Sequence, residues 1–310
     1  MMIAAFAEAA DALGEQKYKD AALAAARFIW ENMQQNGKIS RTWFEGKVSL
    51  DGSQEDYAFL ANGFIALFDL TGDKAWLQRA ETLVATMVEA FRDEQAGDYY
   101  MTASAGTFSR AKVRTDAGRP SGAAGGPAAF ARLSRRTGTP DHRVDGAALR
   151  AALSGLVVSS PASNAYFLMA GDNFIRGGAG DRRFLARGVV DARVSMDKTG
   201  KRLSVTLHIA DGWHINSSKP LEDFFIPTAL AIDGHDDASI SYPSHRLAKL
   251  GFHDTDVAVY DNEIEIDAAL PGKTGSDIVA KLTVQACSDT ICLEPETAEF
   301  RIPFRPVSAN

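Results

Sequence analysis

The sequence contains only two cysteines among its 310 residues, and none of its apolar runs approaches the ~20 residues that a membrane-spanning helix requires. It also lacks the composition of a disordered chain, because 45% of its residues are hydrophobic. At roughly 100–200 residues per domain, the length predicts two domains whose cores need no cross-links between cysteines. We therefore expect a folded, two-domain chain with no membrane span.

An excess of positive charge is missing as well, and the negative charge is confined to one half of the chain. Residues 1–185 include 21 basic and 21 acidic residues, whereas residues 186–310 include 12 basic and 19 acidic ones. Both cysteines and five of the six histidines also lie in the second half. An acidic second half argues against nucleic acid as a partner, and the uneven distribution predicts that the halves differ in chemistry.

The amino terminus lacks the basic residues that open a secretory signal peptide, and Glu8 and Asp11 interrupt its apolar stretch. This segment is typical of a helix. Two origins fit it: a protein that is made without export, or a piece of a longer protein whose upstream residues are missing.

Three segments of the first half repeat one helical pattern. Aligned on Gly14, Gly72 and Gly138, each has an apolar segment before the glycine and an amphipathic segment after it. The amphipathic segments have small or apolar residues at steps that form one stripe of a helix. These residues are Ala22, Ala25, Ile29 and Met33, then Ala80, Leu83, Met87 and Phe91, then Gly146, Leu149, Leu153 and Val157. Each repeat is therefore predicted to be a helix, a glycine turn and a helix.

A repeat of about 60 residues is typical of an α/α toroid or solenoid, and an irregular helical bundle is the alternative. Three hairpins make half of a closed six-hairpin toroid, which leaves apolar edges exposed. We therefore expect residues upstream of Met1 to complete the ring.

The segments EDYAFL (55–60), LTGDKAWL (70–77) and RPSG (119–122) resemble the helical toroid of a family of long thioredoxin-domain-containing proteins. The resemblance covers about residues 1–175 and implies a partial α/α toroid there. In that family a thioredoxin-like domain precedes the toroid, and this sequence does not contain that domain.

A carbohydrate site is the alternative function for the helical half, since the toroid also resembles sugar epimerases and glycosidases, which use paired carboxylates or histidines. Trp43, Phe44 and Tyr57 are candidates for a sugar platform, and core packing is the other interpretation of these aromatics. Glu55 and Asp56 do not fit a catalytic pair, because adjacent residues of a helix point about 100° apart.

From residue 188 onward, apolar residues alternate with polar ones, as in strands with one buried face. Alternation begins at Leu203, Ile264, Ile278 and Phe300, and further apolar segments lie at 189–196, 228–232, 240–242 and 257–260. About eight strands in ~120 residues are typical of an immunoglobulin-like β-sandwich. The chain is thus predicted to be multidomain, α then β, with a partial α/α toroid of helical hairpins at 1–175, a linker at 176–188 and the sandwich at 189–306.

Cys287 and Cys292 follow a predicted strand that ends at Ala286, and four residues separate them. If the turn folds back, their Cα atoms come within the ~4.4–6.8 Å that a disulfide demands. A bridge over so short a loop stabilises less than one over a long loop. From spacing alone, a redox-active pair, a structural disulfide, and unpaired or zinc-bound thiols remain open, and the further ligands available to zinc are His214, His245 and His253.

The charges near the two cysteines are acidic. A nucleophilic cysteine usually lies at a helix N-terminus or beside a cation, whereas Asp289, Glu294 and Glu296 oppose formation of a thiolate here. The pair is therefore expected to be a poor attacker. It suits the passive side of thiol–disulfide exchange, in which a thioredoxin-like partner supplies or receives the attacking thiolate.

The segments DGWHIN (211–216), FIPT (225–228), YP (242–243) and VY (259–260), together with the cysteine turn before Pro295, resemble the amino-terminal domain of thiol:disulfide interchange protein DsbD. The resemblance spans about residues 190–305. It implies an immunoglobulin-like sandwich that relays electrons through two cysteines, with an aromatic residue of a loop capping the disulfide.

On this resemblance, Cys287 and Cys292 match the redox pair. The residues assigned to the cap or the support of the disulfide are Phe252, His253, Trp213 and His214, with Phe252 as the first candidate for the cap. Phe224 and Phe225 are second candidates, and the edge of the sandwich core is their other interpretation.

The predicted function is thiol–disulfide interchange, in which the Cys-x4-Cys pair relays electrons to or from a thioredoxin-like domain or protein. No cofactor and no metal are expected. The resemblance implies a bacterial periplasm or cell envelope, whereas a true start at Met1 would indicate the cytoplasm.

The alternative functions are a carbohydrate-active or epimerase-like toroid with an accessory sandwich, and a non-catalytic binding module with a structural disulfide. The direction of electron flow and the cysteine that is attacked first do not follow from the sequence.

Overall fold

The computed structural model describes residues 1–104, 109–176, 181–251, 255–271 and 277–302. Contacts between Cα atoms divide the chain into two compact units. The helical unit comprises Met1–Ser134 and Thr139–Ile175, and the strand unit comprises Arg135–Gly138 and Arg176–Asn310. The order of helices followed by strands confirms the predicted fold class.

The helical unit is built from consecutive helices. They are α1 (Met2–Leu13), α2 (Gln16–Asn32), α3 (Gln54–Thr71), α4 (Lys74–Phe91), α5 (Gly122–Thr137), α6 (Pro140–Ser159) and α7 (Ala165–Arg176). Gly14, Gly72 and Gly138 separate the first three pairs of helices, with φ of 68°, 70° and 65°. This left-handed conformation ends a helix at little cost only where the residue has no Cβ. The predicted helix–glycine–helix repeats are therefore confirmed.

The predicted apolar stripe is buried in the second and third repeats, where Leu83, Met87 and Leu149 are almost fully enclosed. In the first repeat, the buried residues of α2 are Ala22 and Ala26, and Ala25 is exposed. The prediction was wrong by one position there. The buried stripe of α2 advances by one full turn, from one alanine to the next.

Two features of the helical unit were not predicted. A small antiparallel sheet, consisting of β1 (Gln34–Gln35), β2 (Lys38–Phe44) and β3 (Lys47–Asp51), lies between α2 and α3 in the chain, and α7 follows the third repeat. Trp43 and Phe44 are exposed on β2, but Tyr57 is buried and its hydroxyl accepts a hydrogen bond from the backbone N–H of Ile39 (2.9 Å). The three aromatics therefore do not form one exposed sugar platform.

Glu55 and Asp56 have structural partners at the start of α3. Arg41 and Arg119 each place a guanidinium nitrogen 2.9 Å from a carboxylate oxygen of Glu55. The hydrogen bond from Arg119, assisted by Arg41, outweighs burial and holds the pKa of Glu55 below its ordinary value. Asp56 accepts hydrogen bonds from the backbone N–H and the hydroxyl of Ser53 (2.8 Å each), which forms a capping box.

The strand unit consists of short antiparallel strands. They are β4 (Arg182–Leu185), β5 (Val190–Met196), β6 (Arg202–Ile209), β7 (His214–Asn216), β8 (Ala229–Ile232), β9 (Ser239–Ser241), β10 (Arg246–Lys249), β11 (Asp256–Tyr260), β12 (Glu263–Ala269), β13 (Ile278–Val284), β14 (Ala286–Cys287) and β15 (Glu296–Ile302). Each of the eight predicted segments overlaps one of them.

In the described part of this unit, three sheets enclose the main core. Their strand orders are β4-β5-β6-β12-β9, β10-β11-β7-β14 and β15-β13-β8. The alternating residues of the sequence point into the core, which contains side chains from all three sheets, among them Leu207, Ile215, Ile266, Leu282 and Phe300. The unit is a β-sandwich, as the alternation predicts.

Strand β4 lies inside the segment that was predicted to be a linker, 176–188. The strand begins with Arg182 and Arg183, and from the sequence such a polar start looks like a linker. In the structure, Phe184 and Leu185 are buried, and the strand pairs with β5. The first sheet therefore begins before residue 189. Among the helices that the structure describes, none is long and apolar enough to cross a membrane.

Candidate functional site

The two cysteines form a disulfide across a tight hairpin. The Cα atoms of Cys287 and Cys292 are 4.0 Å apart, and the two residues face each other as the last antiparallel pair before the turn 288–291. Within the turn, the backbone N–H of Ser288 donates to the carbonyl of Ile291 (2.8 Å). Backbone hydrogen bonds therefore close the hairpin independently of the S–S bond.

The two sulfur-bearing residues differ in exposure. Cys287 lies on β14 and has no exposed surface, whereas Cys292 is exposed at the end of the turn. Asp289 and Ile291 are also exposed in this turn. A reagent in solution therefore reaches Cys292, and Cys287 is screened by the protein.

The disulfide belongs to the face of the four-stranded sheet that points away from the main core. Ile215 of β7 pairs with Ala286 of β14 and Tyr260 of β11, and all three point into the core. Because side chains alternate along a strand, His214 and Cys287, which are paired with each other, lie on the opposite face. We call this face of the sheet β10-β11-β7-β14 the outer face.

Polar groups attach the segment 217–228 to the outer face. The side-chain amide of Asn216 donates to the carbonyl of Ile226 (2.9 Å) and to Oε1 of Gln285 (3.0 Å). The same oxygen of Gln285 accepts from the backbone N–H of Ile226 (3.2 Å), and the hydroxyl of Thr228 donates to the carbonyl of Asn216 (2.6 Å). Asn216 is fully buried and thus connects β7 with Gln285 and with the segment 217–228.

Apolar contacts hold the same segment in place. Phe225 is buried in a small cluster with Leu250, Val257 and Val259, and Phe224 is exposed beside it. Phe225 is therefore buried in a cluster separate from the main core, and not at the edge of that core, which was the alternative interpretation of this residue.

His214 lies beside the disulfide in a protected position. Only 4% of its surface is exposed, and its buried Nε2 atom has no hydrogen-bond partner among the residues that the structure describes. Burial is the main cause that lowers the pKa of His214 below its ordinary value of 6.5, and Arg246 lowers it further. Asp289 and Asp261 act in the opposite direction but do not outweigh these two causes. The imidazole is therefore neutral at pH 7.

The lowered pKa of His214 makes the stability of the strand unit depend on pH. Below about pH 6.5 the unfolded chain binds more protons at this residue than the folded protein does, so stability falls as the pH falls towards the lowered pKa. We expect His214→Gln to lose less stability than the wild type between pH 7 and pH 5. Thermal unfolding at a series of pH values measures this, and His208→Gln, which changes an exposed histidine of β6, is the control. Equal pH profiles for wild type and His214→Gln would contradict the expectation.

Of the other residues assigned to the cap or the support of the disulfide, the structure describes Trp213. Trp213 packs against the main core, and its backbone N–H donates to the carbonyl of Ala210 (3.0 Å). Phe252 and His253 lie outside the described residues, so their roles stay predictions. The preceding residue, Gly251, is so close to the cysteine turn that a Cβ there would lie 2.8 Å from the carbonyl oxygen of Asp289.

Sequence reasoning missed Gln285 and did not assign a role to Asn216. A polar side chain at the end of an apolar strand was the available signal, since Gln285 follows β13 directly. No group of three or more histidine, cysteine, aspartate or glutamate residues is placed to hold a metal ion within the described part of the chain.

Comparisons with known proteins divide the chain in the same way as its fold. The family "Thiol:disulfide interchange protein DsbD, N-terminal" matches residues 181–303. Spermatogenesis-associated protein 20 of Mus musculus is 29% identical to the helical part over 110 residues, which cover 32% of this chain and 14% of that protein. The chain therefore spans less than a fifth of the length of this relative.

Two kinds of solved structure are similar to the chain. A structure of the complex between the DsbD N-terminal and PilB N-terminal domains from Neisseria meningitidis is 17% identical, with a TM-score of 0.31, and the match covers 41% of this chain and 97% of that one. Cellobiose 2-epimerase from Spirochaeta thermophila is 19% identical, with a TM-score of 0.39, and the match covers 51% of this chain and 41% of that one.

The strand unit therefore contains a domain of the DsbD amino-terminal type, as the sequence predicted. Its two cysteines are joined in a disulfide. The family match and the disulfide together support a function in thiol–disulfide chemistry.

Proposed function

We propose that the strand unit is a thiol–disulfide relay that exchanges electrons with a thioredoxin-like partner through Cys292. The observation that carries the proposal is the unequal exposure of the two cysteines, since Cys292 is accessible and Cys287 is enclosed. A purely structural disulfide has no need of an exposed cysteine residue, and the hairpin already has its own backbone hydrogen bonds.

The exchange takes place in two steps. A thiolate of the reduced partner attacks Sγ of Cys292, a mixed disulfide forms between them, and Cys287 leaves as a thiolate that takes up a proton. The second thiol of the partner loses its proton and attacks the partner's own sulfur in the mixed disulfide, which releases Cys292 as a thiolate. The partner is oxidised by two electrons, and the Cys287–Cys292 pair is reduced by two. The reverse sequence oxidises the pair.

The charges around the turn fit a partner that supplies the reactive thiolate. Asp289 and Glu294 are exposed near Cys292, and negative charges raise the cost of forming a thiolate on that sulfur. A thioredoxin-like protein has a thiolate of lowered pKa, so it provides the nucleophile that this pair lacks. In the reverse direction, Cys292 attacks the partner's disulfide more slowly.

Trapping of a mixed disulfide tests the proposal. Thioredoxin that keeps only its exposed cysteine, activated as a mixed disulfide with thionitrobenzoate, is incubated with Cys287→Ala or Cys292→Ala. We expect Cys287→Ala to release thionitrobenzoate and to form a covalent adduct, because its remaining thiol is exposed. Cys292→Ala is the matched control and is expected to react slowly or not at all. Mass spectrometry identifies the adduct, and absorbance gives its rate.

Activated glutathione in place of activated thioredoxin measures accessibility without recognition. A relay requires Cys287→Ala to react faster with thioredoxin than with glutathione. If neither variant forms an adduct, or if both react equally fast, the proposal is wrong and the disulfide is a structural one.

A further inference from the structure

Among the described residues, the buried Nε2 atom of His214 has no hydrogen-bond partner, in a structure that contains the oxidised cysteine pair. His214 and Cys287 are directly opposite residues of β7 and β14, both are buried, and both lie on the outer face. Side chains of directly opposite residues in antiparallel strands begin about 4.5–5.5 Å apart at their Cβ atoms. Cys287 is therefore the adjacent group whose capacity for hydrogen bonding changes with its oxidation state.

We propose that Nε2 of His214 hydrogen-bonds the sulfur of Cys287 when the pair is reduced, and that it thereby favours the reduced state and makes Cys287 the better leaving group. This role rests on the relay function proposed above. His214 acts on the exchange through Cys287, and so it is a positioning residue of the disulfide.

The hydrogen-bonding capacity of the two sulfur states supports this role. In the disulfide, Cys287 has no S–H, and its sulfur is at best a weak acceptor, so it does not satisfy the buried ring nitrogen of the opposite residue. Reduction delivers two electrons and two protons from the partner's thiols and converts Cys287 first to a thiolate and then to a thiol. A thiolate accepts a hydrogen bond from an imidazole N–H, and a thiol donates one to an imidazole nitrogen.

Burial makes the contribution larger for Cys287 than it would be for Cys292. Cys292 is an exposed residue, where water contributes to the solvation of a thiolate, whereas Cys287 has no exposed surface. A charge that develops on an enclosed sulfur must be stabilised by protein groups. The charged groups that act on the pKa of His214 are the cation Arg246 and the anions Asp289 and Asp261. The imidazole itself stays neutral and has one N–H to donate.

The reduction potential tests the proposal without any partner protein. His214→Leu and the wild type are equilibrated with mixtures of reduced and oxidised glutathione, and the fraction of reduced pair is measured after alkylation. We expect the equilibrium constant for reduction of His214→Leu to fall about tenfold, which makes its potential about 30 mV more negative. His214→Gln keeps a side-chain N–H and is expected to recover part of the shift. His208→Gln, on the exposed side of β6, is the control and is expected to keep the wild-type potential.

A packing role for His214 predicts a different pattern. In that case His214→Leu would change the thermal unfolding midpoint by the same amount in the oxidised and the reduced protein, and its potential would equal that of the wild type. This pattern would overturn the proposal. If His214→Leu is poorly folded, His214→Phe, which fills the site without a hydrogen-bonding group, takes its place. A wild-type potential in that variant then indicates a packing role, and a more negative potential supports the hydrogen bond.

The measurement of the reduction potential tests the role of His214 separately from the trapping experiment, which tests the relay. An adduct with thioredoxin combined with an unchanged potential retains the relay and removes the role of His214. A shifted potential without any adduct retains the hydrogen bond and removes the relay.

Discussion

Asn216→Ala is expected to lower the free energy of unfolding of the strand unit by about 3 kcal/mol. The substitution removes two hydrogen bonds of a fully buried amide, leaves the carbonyl of Ile226 and Oε1 of Gln285 with fewer partners, and opens a small cavity. Oδ1 of Asn216 has no hydrogen-bond partner among the described residues, and its removal offsets part of the loss.

The same substitution is expected to expose the disulfide. Asn216 attaches the segment 217–228 to the outer face, so the segment is held less firmly in the variant and small thiols reach the cysteine pair faster. Hydrogen–deuterium exchange of peptides from 214–228 and the rate of reduction by dithiothreitol measure the two effects. Ser241→Ala, at an exposed position of β9, is the control for substitution by alanine.

A double-mutant cycle with Gln285→Ala separates the contribution of the hydrogen bond from that of the cavity. Because Asn216 and Gln285 are bonded to each other, the double variant is expected to lose less stability than the two single variants together. Strict additivity, or an exchange pattern in 214–228 equal to that of the wild type, would contradict the role assigned to Asn216.

Gly122→Ala is expected to destabilise the helical unit by about 3 kcal/mol. A Cβ at this position would lie 2.1 Å from Oε1 of Gln54, 2.8 Å from Cβ of Glu55 and 3.0 Å from Cα of Glu55. The side chain of Gln54 is buried and donates a hydrogen bond to the carbonyl of Gly122 (3.0 Å), so moving it breaks a contact, and the atoms of Glu55 belong to the rigid start of α3. The start of α5 therefore requires glycine for close approach to α3.

Gly155→Ala is the matched control for this substitution. Gly155 lies within α6, and a Cβ there would meet no atom of the described residues within 4 Å. Alanine favours a helix more than glycine does by roughly 1 kcal/mol, so this variant is expected to be as stable as the wild type or slightly more stable. Urea unfolding followed by the helical circular dichroism signal compares the two, and equal midpoints for Gly122→Ala and Gly155→Ala would show that the approach of α5 to α3 is not close in solution.

The sequence pattern predicted those parts of the fold that depend on neighbours in the chain. Gly72 between an apolar and an amphipathic segment and the alternation in β13 are local signals, and both kinds of element were found. Strands β7, β10 and β14 contain only three, four and two residues, which is too short for a period to be recognised. They are strands because a neighbouring strand supplies their hydrogen bonds.

The candidate site, too, was predictable only where residues close together in the chain determine it. Four residues between Cys287 and Cys292 permitted a disulfide, but the exposure of each sulfur depends on what covers it. The polar contacts of Asn216 join residues that are 10 and 69 positions away in the chain, so no local pattern contains them. His214 was named as a candidate through a resemblance, and its unpartnered nitrogen is visible only once its surroundings are known.

The hairpin that carries the disulfide is closed by main-chain hydrogen bonds on both sides of the cysteine pair, from Ser288 to Ile291 and from Leu293 to Ala286 (2.8 Å each). None of these bonds involves sulfur. Cleavage of the S–S bond therefore leaves the scaffold of the turn intact, and the attacked and leaving sulfurs stay within reach of each other for re-formation. In the relay proposed above, such a hairpin exchanges electrons without refolding, so that each exchange avoids the entropy cost of ordering a loop.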